Sequence, residues 1–590
     1  GTRGLAPIAR HTYVETRLDH HLQPAALNGR YRLIIITGNA GDGKTAFIQN
    51  LERQVENEGE VVTRPTSNSS HFTYRGVHFT TNYDGSQDEG ADRLNDAVLG
   101  EFFAPFADDP APIATQTTHI IAINKGRLLD FFLDQTQTTL FSRLAAIVNS
   151  FFDPTLNHAE SNPADSAAPD WLTIIDLNYR SVVAIDPERD GHSIFDRQLD
   201  ALLQPVLWAP CGNCALRARC FIKHNADTLA DPVSGPTVRT RLGALFEIVH
   251  LRRKLHITMR DMRSALSWLL ARDHDCADVA ALLAQEPTAD DHARLLYYNA
   301  FADDDAPGEG RSDDRLVRLL RQIDPAQVSN PADDRALHSG GQPGGRLAFE
   351  ERSAWPAQLL EASDPRQGDP APEAPAQQRR RHAMLRRRAF YERRDNGWRH
   401  MLPYRALRDF QAAVADLGGN TEAVRQTLAQ GISRAEGTTD KVLSAQNVCL
   451  RASHAEKARV RSFRLFPVEE FALRLPLNPN GQYLEYAPDQ ILFRHEPPDA
   501  TLRTSSARPA QLAVSLDVLE LLTLIADGHR PSPDDAEGVY VNLTIFKNAL
   551  AHLPYRRALL TRDNRDFYEV ERIGPGQARL RPSARSGEMA

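Results

Sequence analysis

A glycine-rich turn near the N-terminus restricts this chain more than any other part of it. Leu33-Ile34-Ile35-Ile36-Thr37 runs into Gly38-Asn39-Ala40-Gly41-Asp42-Gly43-Lys44-Thr45, and Ala46-Phe47-Ile48 follows. The pattern is G-x-x-x-x-G-K-T between a buried-strand signature and an amphipathic helix, the context that gives such a turn meaning. Glycines let the backbone curl so that its N–H groups converge on phosphate oxygens, and the helix start adds its positive end. Lys44 then supplies a mobile cation for β- and γ-phosphates, and Thr45 a hydroxyl for Mg²⁺. The turn predicts a nucleotide site over Gly38–Ala46.

Around that turn the pattern is α/β. Strands are expected at Leu33–Thr37, Val61–Arg64, Val77–Asn82, His119–Asn124 and Leu172–Asn178, and helices at Thr45–Val55, Ala91–Phe106 and Arg127–Phe152. This alternation implies a mostly parallel sheet, with Val61–Asn82 as a hairpin decorating it. Helical periodicity follows at Val238–Leu251 and Thr258–Leu270, the latter opened by Thr258 with Asp261 three residues on. The expected layout is a core over 1–190, a helical lid over 191–300, a helical linker region over 301–400 and a C-terminal α+β domain over 401–590. In that domain Ser462–Leu475 and Asp566–Ile573 read as strands, Leu516–Ala526 and Asn542–Leu553 as helices. Ala107–Thr118, Asp153–Asp170, Ala302–Asp314 and Ser363–Gln378 read as loops or linkers.

Composition removes several function classes. No apolar run approaches the ~18 residues a membrane span needs. The 69 Lys+Arg against 77 Asp+Glu exclude attachment to nucleic acid by overall charge. Five cysteines in 590 residues form no disulfide framework, so a cytoplasmic setting is expected. The chain opens Gly1-Thr2-Arg3 and reads as part of a longer protein with an upstream domain or partner.

With its phosphate loop, the segment His119–Arg127 (HIIAINKGR) and the cysteine-bearing helical region, the first 280 residues or so resemble AAA+ and STAND-type NTPases. More narrowly they resemble the ATPase modules of bacterial antiphage-defence proteins, some of them fused to protein kinase domains. The resemblance implies ATP hydrolysis, self-assembly and an acid at a strand end, the Walker B position. By chain order His119–Ile123 is the expected Walker B strand, yet it ends Asn124-Lys125-Gly126 with no carboxylate. Asp84, after Val77–Tyr83, and Asp176, after Leu172–Ile175, compete for the role. Asn124 reads as a water-positioning sensor or as a turn residue. Arg260, with Arg263 second, is expected to reach the γ-phosphate, as in the sensor-2 region of AAA+ lids.

Two further segments carry chemistry. Cys211, Cys214, Cys220 and His224 follow C-x2-C-x5-C-x3-H spacing, which predicts a structural zinc knot with Cys276 as the alternative fourth ligand; free thiols with one redox-active pair are the other reading. Cys449 stands alone as core. Between Arg379 and Arg399 stand nine arginines (379, 380, 381, 386, 387, 388, 393, 394 and 399), interleaved with Phe390, Tyr391 and Trp398. That mixture suits nucleic acid, an arginine finger or a solvated helix face. The expected function is an ATP-binding, oligomeric NTPase; a nucleotide-locked scaffold, favoured by Lys125, and a nucleic-acid motor are its rivals.

Overall fold

A computed structural model of the chain describes residues 11–88, 94–108, 116–152, 169–287, 289–302, 314–338, 375–393, 396–417, 421–438, 441–452, 460–478, 480–498, 509–532, 538–562, 566–574 and 576–582. The four expected loops fall largely outside these residues. The chain divides into two units. The first comprises 1–250, 254–403 and 478–487; the second comprises 251–253, 404–477 and 488–590.

The first unit is built on a six-stranded sheet of β1 (Leu33–Thr37), β2 (Thr63–Thr66), β3 (Ser69–Tyr74), β4 (Val77–Asn82), β5 (Thr117–Ile123) and β6 (Leu172–Asp176), in the order β2-β3-β4-β5-β1-β6. The pairs β4–β5, β5–β1 and β1–β6 are parallel, while β2 and β3 join antiparallel. Every residue of β1 is buried, as a central strand covered on both faces requires. One layer on the sheet contains α1 (Lys44–Asn57), whose Phe47, Ile48, Leu51 and Val55 face it. The other contains α2 (Asn95–Phe103), α3 (Lys125–Leu133), α4 (Gln135–Leu140) and α5 (Ser142–Phe152), rich in packed phenylalanines.

Two expectations change here. β4 does not decorate the sheet: it pairs with β3 through the two-residue turn Arg75-Gly76, both at positive φ, and is also a parallel member beside β5. β1 lies between β5 and β6, and Asp84 follows β4, the next strand out beyond β5. The single helix expected over Arg127–Phe152 is three, because the Asp134 side chain caps a new start, accepting from Thr136 and Gln137 N–H groups. Residues 91–93 of the expected Ala91–Phe106 helix lie outside the described residues.

A buried carboxylate locks α1 to the hairpin. Glu52 is fully buried and accepts from Ser70 Oγ (2.6 Å), Tyr83 Oη (2.8 and 2.9 Å) and Arg64 Nη2 (3.0 Å). Buried charge persists only when paired in this way.

The rest of the unit is helical: α6 (Ile194–Leu202), α7 (Phe221–Ala230), α8 (Gly235–Arg252), α9 (Met259–Ala271), α10 (Cys276–Ala284), α11 (Arg315–Arg321), α12 (Pro331–His338) and α13 (Pro375–Glu392). Thr258 and Asp261 cap α9 reciprocally, as their spacing predicts. Residues 478–487 complete the unit at the free edge of β6. There the Asn480 side-chain amide donates to Ile174 O (2.7 Å) and accepts from Asp176 N (3.0 Å), doing for β6 what another strand's backbone would do.

The second unit contains two antiparallel sheets. One has three strands, Phe471–Arg474, Ile491–His495 and Gln511–Val514. The other has five, Asn447–Arg451, Arg461–Pro467, Arg557–Thr561, Phe567–Gly574 and Gln577–Pro582. Helices Thr421–Ala435 and Leu516–Ala526 pack closely: a Cβ on Gly431 would lie 2.5 Å from Leu522 O. No described helix is long and apolar enough to cross a membrane.

Candidate phosphate-loop site

The loop Gly38–Gly43 leaves β1 at the sheet's carboxyl edge, between the ends of β5 and β6, where parallel sheets present ligand crevices. It opens on a cavity of about 550 Å³ lined by Ala40–Phe47, by Asp84 and Ser86 after β4, by Asn124 after β5, by Arg180 after β6, by Met259, Arg260 and Arg263 of α9, and by Tyr13, Val14, Thr16 and Leu18. The size falls within that of small-molecule sites.

Within the loop, Gly38, Gly41 and Gly43 all have positive φ, conformations open to glycine. Lys44 Nζ reaches back to the carbonyls of Gly38 (2.7 Å) and Asn39 (2.8 Å). Burial pushes its pKa down, opposed by Asp42 and Asp84. The Asp42 carboxylate is buried; it accepts from Asn39 N (2.5 Å) and meets His256 Nε2 at 3.0 Å. Arg180 donates to the Asp42 carbonyl.

Asp84 is half-buried in the cavity wall, its carboxylate accepting from Ser86 N at 3.0 Å. Asn124 also lines the cavity, but its side-chain oxygen caps α3, accepting from Gly126 N at 2.9 Å. Asp176 is not in the lining. It is 2 % exposed, accepts from Asn178 N (3.1 Å) and Nδ2 (2.8 Å), and has Lys125 Nζ at 4.0 Å. Burial raises its pKa, against those hydrogen bonds and Lys125. Lys125 also lies over the Phe152 ring. Arg260 is exposed at the cavity, its N–H donating to Gly41 O at 3.2 Å. Arg263 donates instead to Thr12 O (3.0 Å), and burial lowers its pKa.

The metal expectations are overturned. Among the described residues no group of three or more His, Cys, Asp or Glu could hold a metal ion. Cys211, Cys214, Cys220 and His224, with Cys276, do not converge as ligands: Cys214 and Cys276 are exposed thiols, and His224 packs its ring toward Tyr297. Burial pushes the Cys211 and Cys220 thiols up, away from the thiolate form that metals bind. The magnesium expected at Thr45 fails on the same finding, and Thr45 Oγ1 donates to Tyr83 O at 2.9 Å. Cys449 is fully buried core.

Within the arginine-rich segment Arg386, Arg387, Arg388 and Arg393 turn to acids of the same unit, while Arg379 and Arg399 are exposed. Arg387 pairs with Asp324 (2.7 Å), Arg388 with Glu392 (3.4 Å), Arg393 with Asp333 (3.0 Å) and Arg386 with Asp334 (2.7 Å). Phe390, Tyr391 and Trp398 are buried, so none of the three is available as a stacking platform. The Arg381 side chain and Arg394 lie outside what the structure describes. Arg180, His256 and the N-terminal wall from Tyr13 to Leu18 carried no sequence signal; only the acid at position 42, inside a phosphate-binding pattern, was there to be noticed.

Comparison with protein-family models, curated proteins and solved structures finds no match to this chain.

Proposed function

We propose that this chain is an ATP-binding P-loop NTPase module of AAA+ or STAND type, coupling nucleotide binding and hydrolysis to movement of its helical lid. The observation that carries the reading is the junction of β1 and α1: a G-x-x-x-x-G-K-T loop with three left-handed glycines, at the carboxyl edge of a mostly parallel sheet, opening on a cavity with Lys44, Asp84, Asn124 and Arg260 in its wall. Loop N–H groups and Lys44 would bind phosphates. Asp84 is the carboxylate for orienting an attacking water, because the other acid in the lining, Asp42, is already bonded to Asn39 and His256. Asn124 and Arg260 would report the γ-phosphate. The antiphage-defence setting rests on the sequence resemblance alone.

The test is ATP binding and phosphate release by wild type, Lys44→Ala and Asp84→Asn over a range of protein concentrations. The reading expects ATP to raise the melting temperature of wild type, Lys44→Ala to lose both binding and turnover, and Asp84→Asn to bind while losing turnover at least 100-fold, the scale of a misplaced catalytic group. Turnover that rises faster than linearly with concentration would mean that a second copy completes the site. Binding without release in wild type would instead support the nucleotide-locked scaffold, a reading favoured by the cation Lys125 following β5 where an acid was expected. Absence of any ATP effect would end the proposal.

A further inference from the structure

α9 is joined to the phosphate loop at two consecutive residues. Gly41 O accepts from Arg260 N at 3.2 Å, and Asp42 Oδ1 meets His256 Nε2 at 3.0 Å. The two contacts straddle Thr258, the N-cap of α9. Contact at Gly41 is close enough that an added Cβ would lie 2.8 Å from Arg260 Cβ and 3.0 Å from Thr258 Oγ1. The same Asp42 carboxylate accepts from Asn39 N at 2.5 Å, so one buried acid fixes both the curl of the loop and the approach to α9. Nothing in phosphate binding itself requires an acid there; a negative charge in the loop opposes an incoming anion unless a donor compensates it. His256 is placed to be such a donor, beside the Asn39 N–H.

We infer that the Asp42–His256 pair is the latch that transmits occupancy of the phosphate loop to the start of α9, and so to Met259, Arg260 and Arg263 in the cavity wall. The inference rests on the nucleotide reading above. Phosphate drawing in the loop's N–H groups resets the Gly41–Gly43 backbone; the carboxylate of Asp42 moves with it, and His256 carries the displacement into the first turn of α9. Asp42 and His256 are positioning residues: they act through the loop and the helix.

Amide hydrogen exchange on the full chain, with and without ATP, separates the two claims. Protection of loop amides 39–45 by ATP tests nucleotide binding; an ATP-dependent change at amides 259–263 tests the latch. In wild type both are expected. In His256→Ala, at ATP raised until the loop is saturated to offset any weaker binding, the loop response remains while the α9 response falls at least tenfold, the scale of one hydrogen bond to a charged group. His256→Gln, which keeps a donor, restores it. Asp42→Asn combined with His256→Ala loses no more than either alone, as one shared interaction requires. An unchanged α9 response in His256→Ala, or additive losses in the double variant, overturns the latch. A wild type in which ATP protects neither segment overturns the nucleotide reading instead.

Discussion

Replacing Asp324 with alanine removes the carboxylate paired with a nearly fully buried arginine, which keeps a hydrogen bond to Asn299 Oδ1 at 3.2 Å. Arg387 and Asp324 side chains are 6 % and 5 % exposed, and they meet through three contacts: Nε to both carboxylate oxygens at 3.0 Å and Nη2 to Oδ2 at 2.7 Å. Removing one member of a buried pair strands the other charge and costs about 3–5 kcal/mol. Loss of the cap that Asp324 makes to Ala326 N adds to the same direction. The four tryptophans among the described residues, at 171, 208, 268 and 398, belong to the first unit, so their fluorescence during urea unfolding follows that unit. The expected result is a lower midpoint at unchanged slope, equivalent to about 3–5 kcal/mol. Asp324→Leu with Arg387→Met should recover most of the loss, because an apolar pair of similar volume has no charge to strand. A loss below about 1 kcal/mol for Asp324→Ala would mean that Arg387 reaches solvent, as surface substitutions usually stay within ±0.5 kcal/mol. That outcome would return the arginine-rich helix to consideration as a phosphate-backbone contact.

Two other expectations follow from single residues. Burial, with Arg32 and His71 adding repulsion, lowers the His119 pKa to about 4; its ring is edge-on to Phe102 and Phe106. Folding therefore favours neutral imidazole, so the stability it carries is intact above the ordinary value near 6.5 and lost as pH falls toward 4. That is roughly 3 kcal/mol, and tryptophan-monitored melting of His119→Leu should lack that part of the acid sensitivity; identical pH profiles would refute it. Gly41→Ala puts a Cβ at φ +100 and 2.8 Å from Arg260 Cβ. Strain and overpacking together should cost about 2–4 kcal/mol and speed exchange of the Arg260 amide; an unchanged melt would mean that α9 does not sit on the loop.

The central strands were legible because burial writes itself into sequence: Leu33–Thr37 and Val77–Asn82 have the bounds that their residue runs predict. So does the capping box of α9, where Thr258 and Asp261 are near neighbours. What failed to show depended on partners distant along the chain. Arg386, Arg387 and Arg393 read as part of a surface or a ligand site because their acids, Asp334, Asp324 and Asp333, lie 52 to 63 residues away. The cysteine spacing suggested a ligand set, but spacing constrains only the turn that carries it, and Cys276 begins a separate helix. The two competing acids could not be separated by sequence, because burial decides between them: Asp84, after β4, lines the cavity, whereas Asp176, after β6, is buried outside the lining.

The amide of Asn480 has a consequence for how the chain is made. Asp176, whose backbone it pairs, leaves the ribosome 304 residues earlier. At about 5–20 residues per second that interval is roughly 15–60 s. Throughout it the outer side of β6 is an unfinished sheet edge, of the kind that recruits other strands. The first unit thus reaches its native form only after 74 residues of the second, 404–477, have been synthesised, and a nascent chain stalled before Asn480 would present that edge to whatever chaperone or neighbouring chain is near.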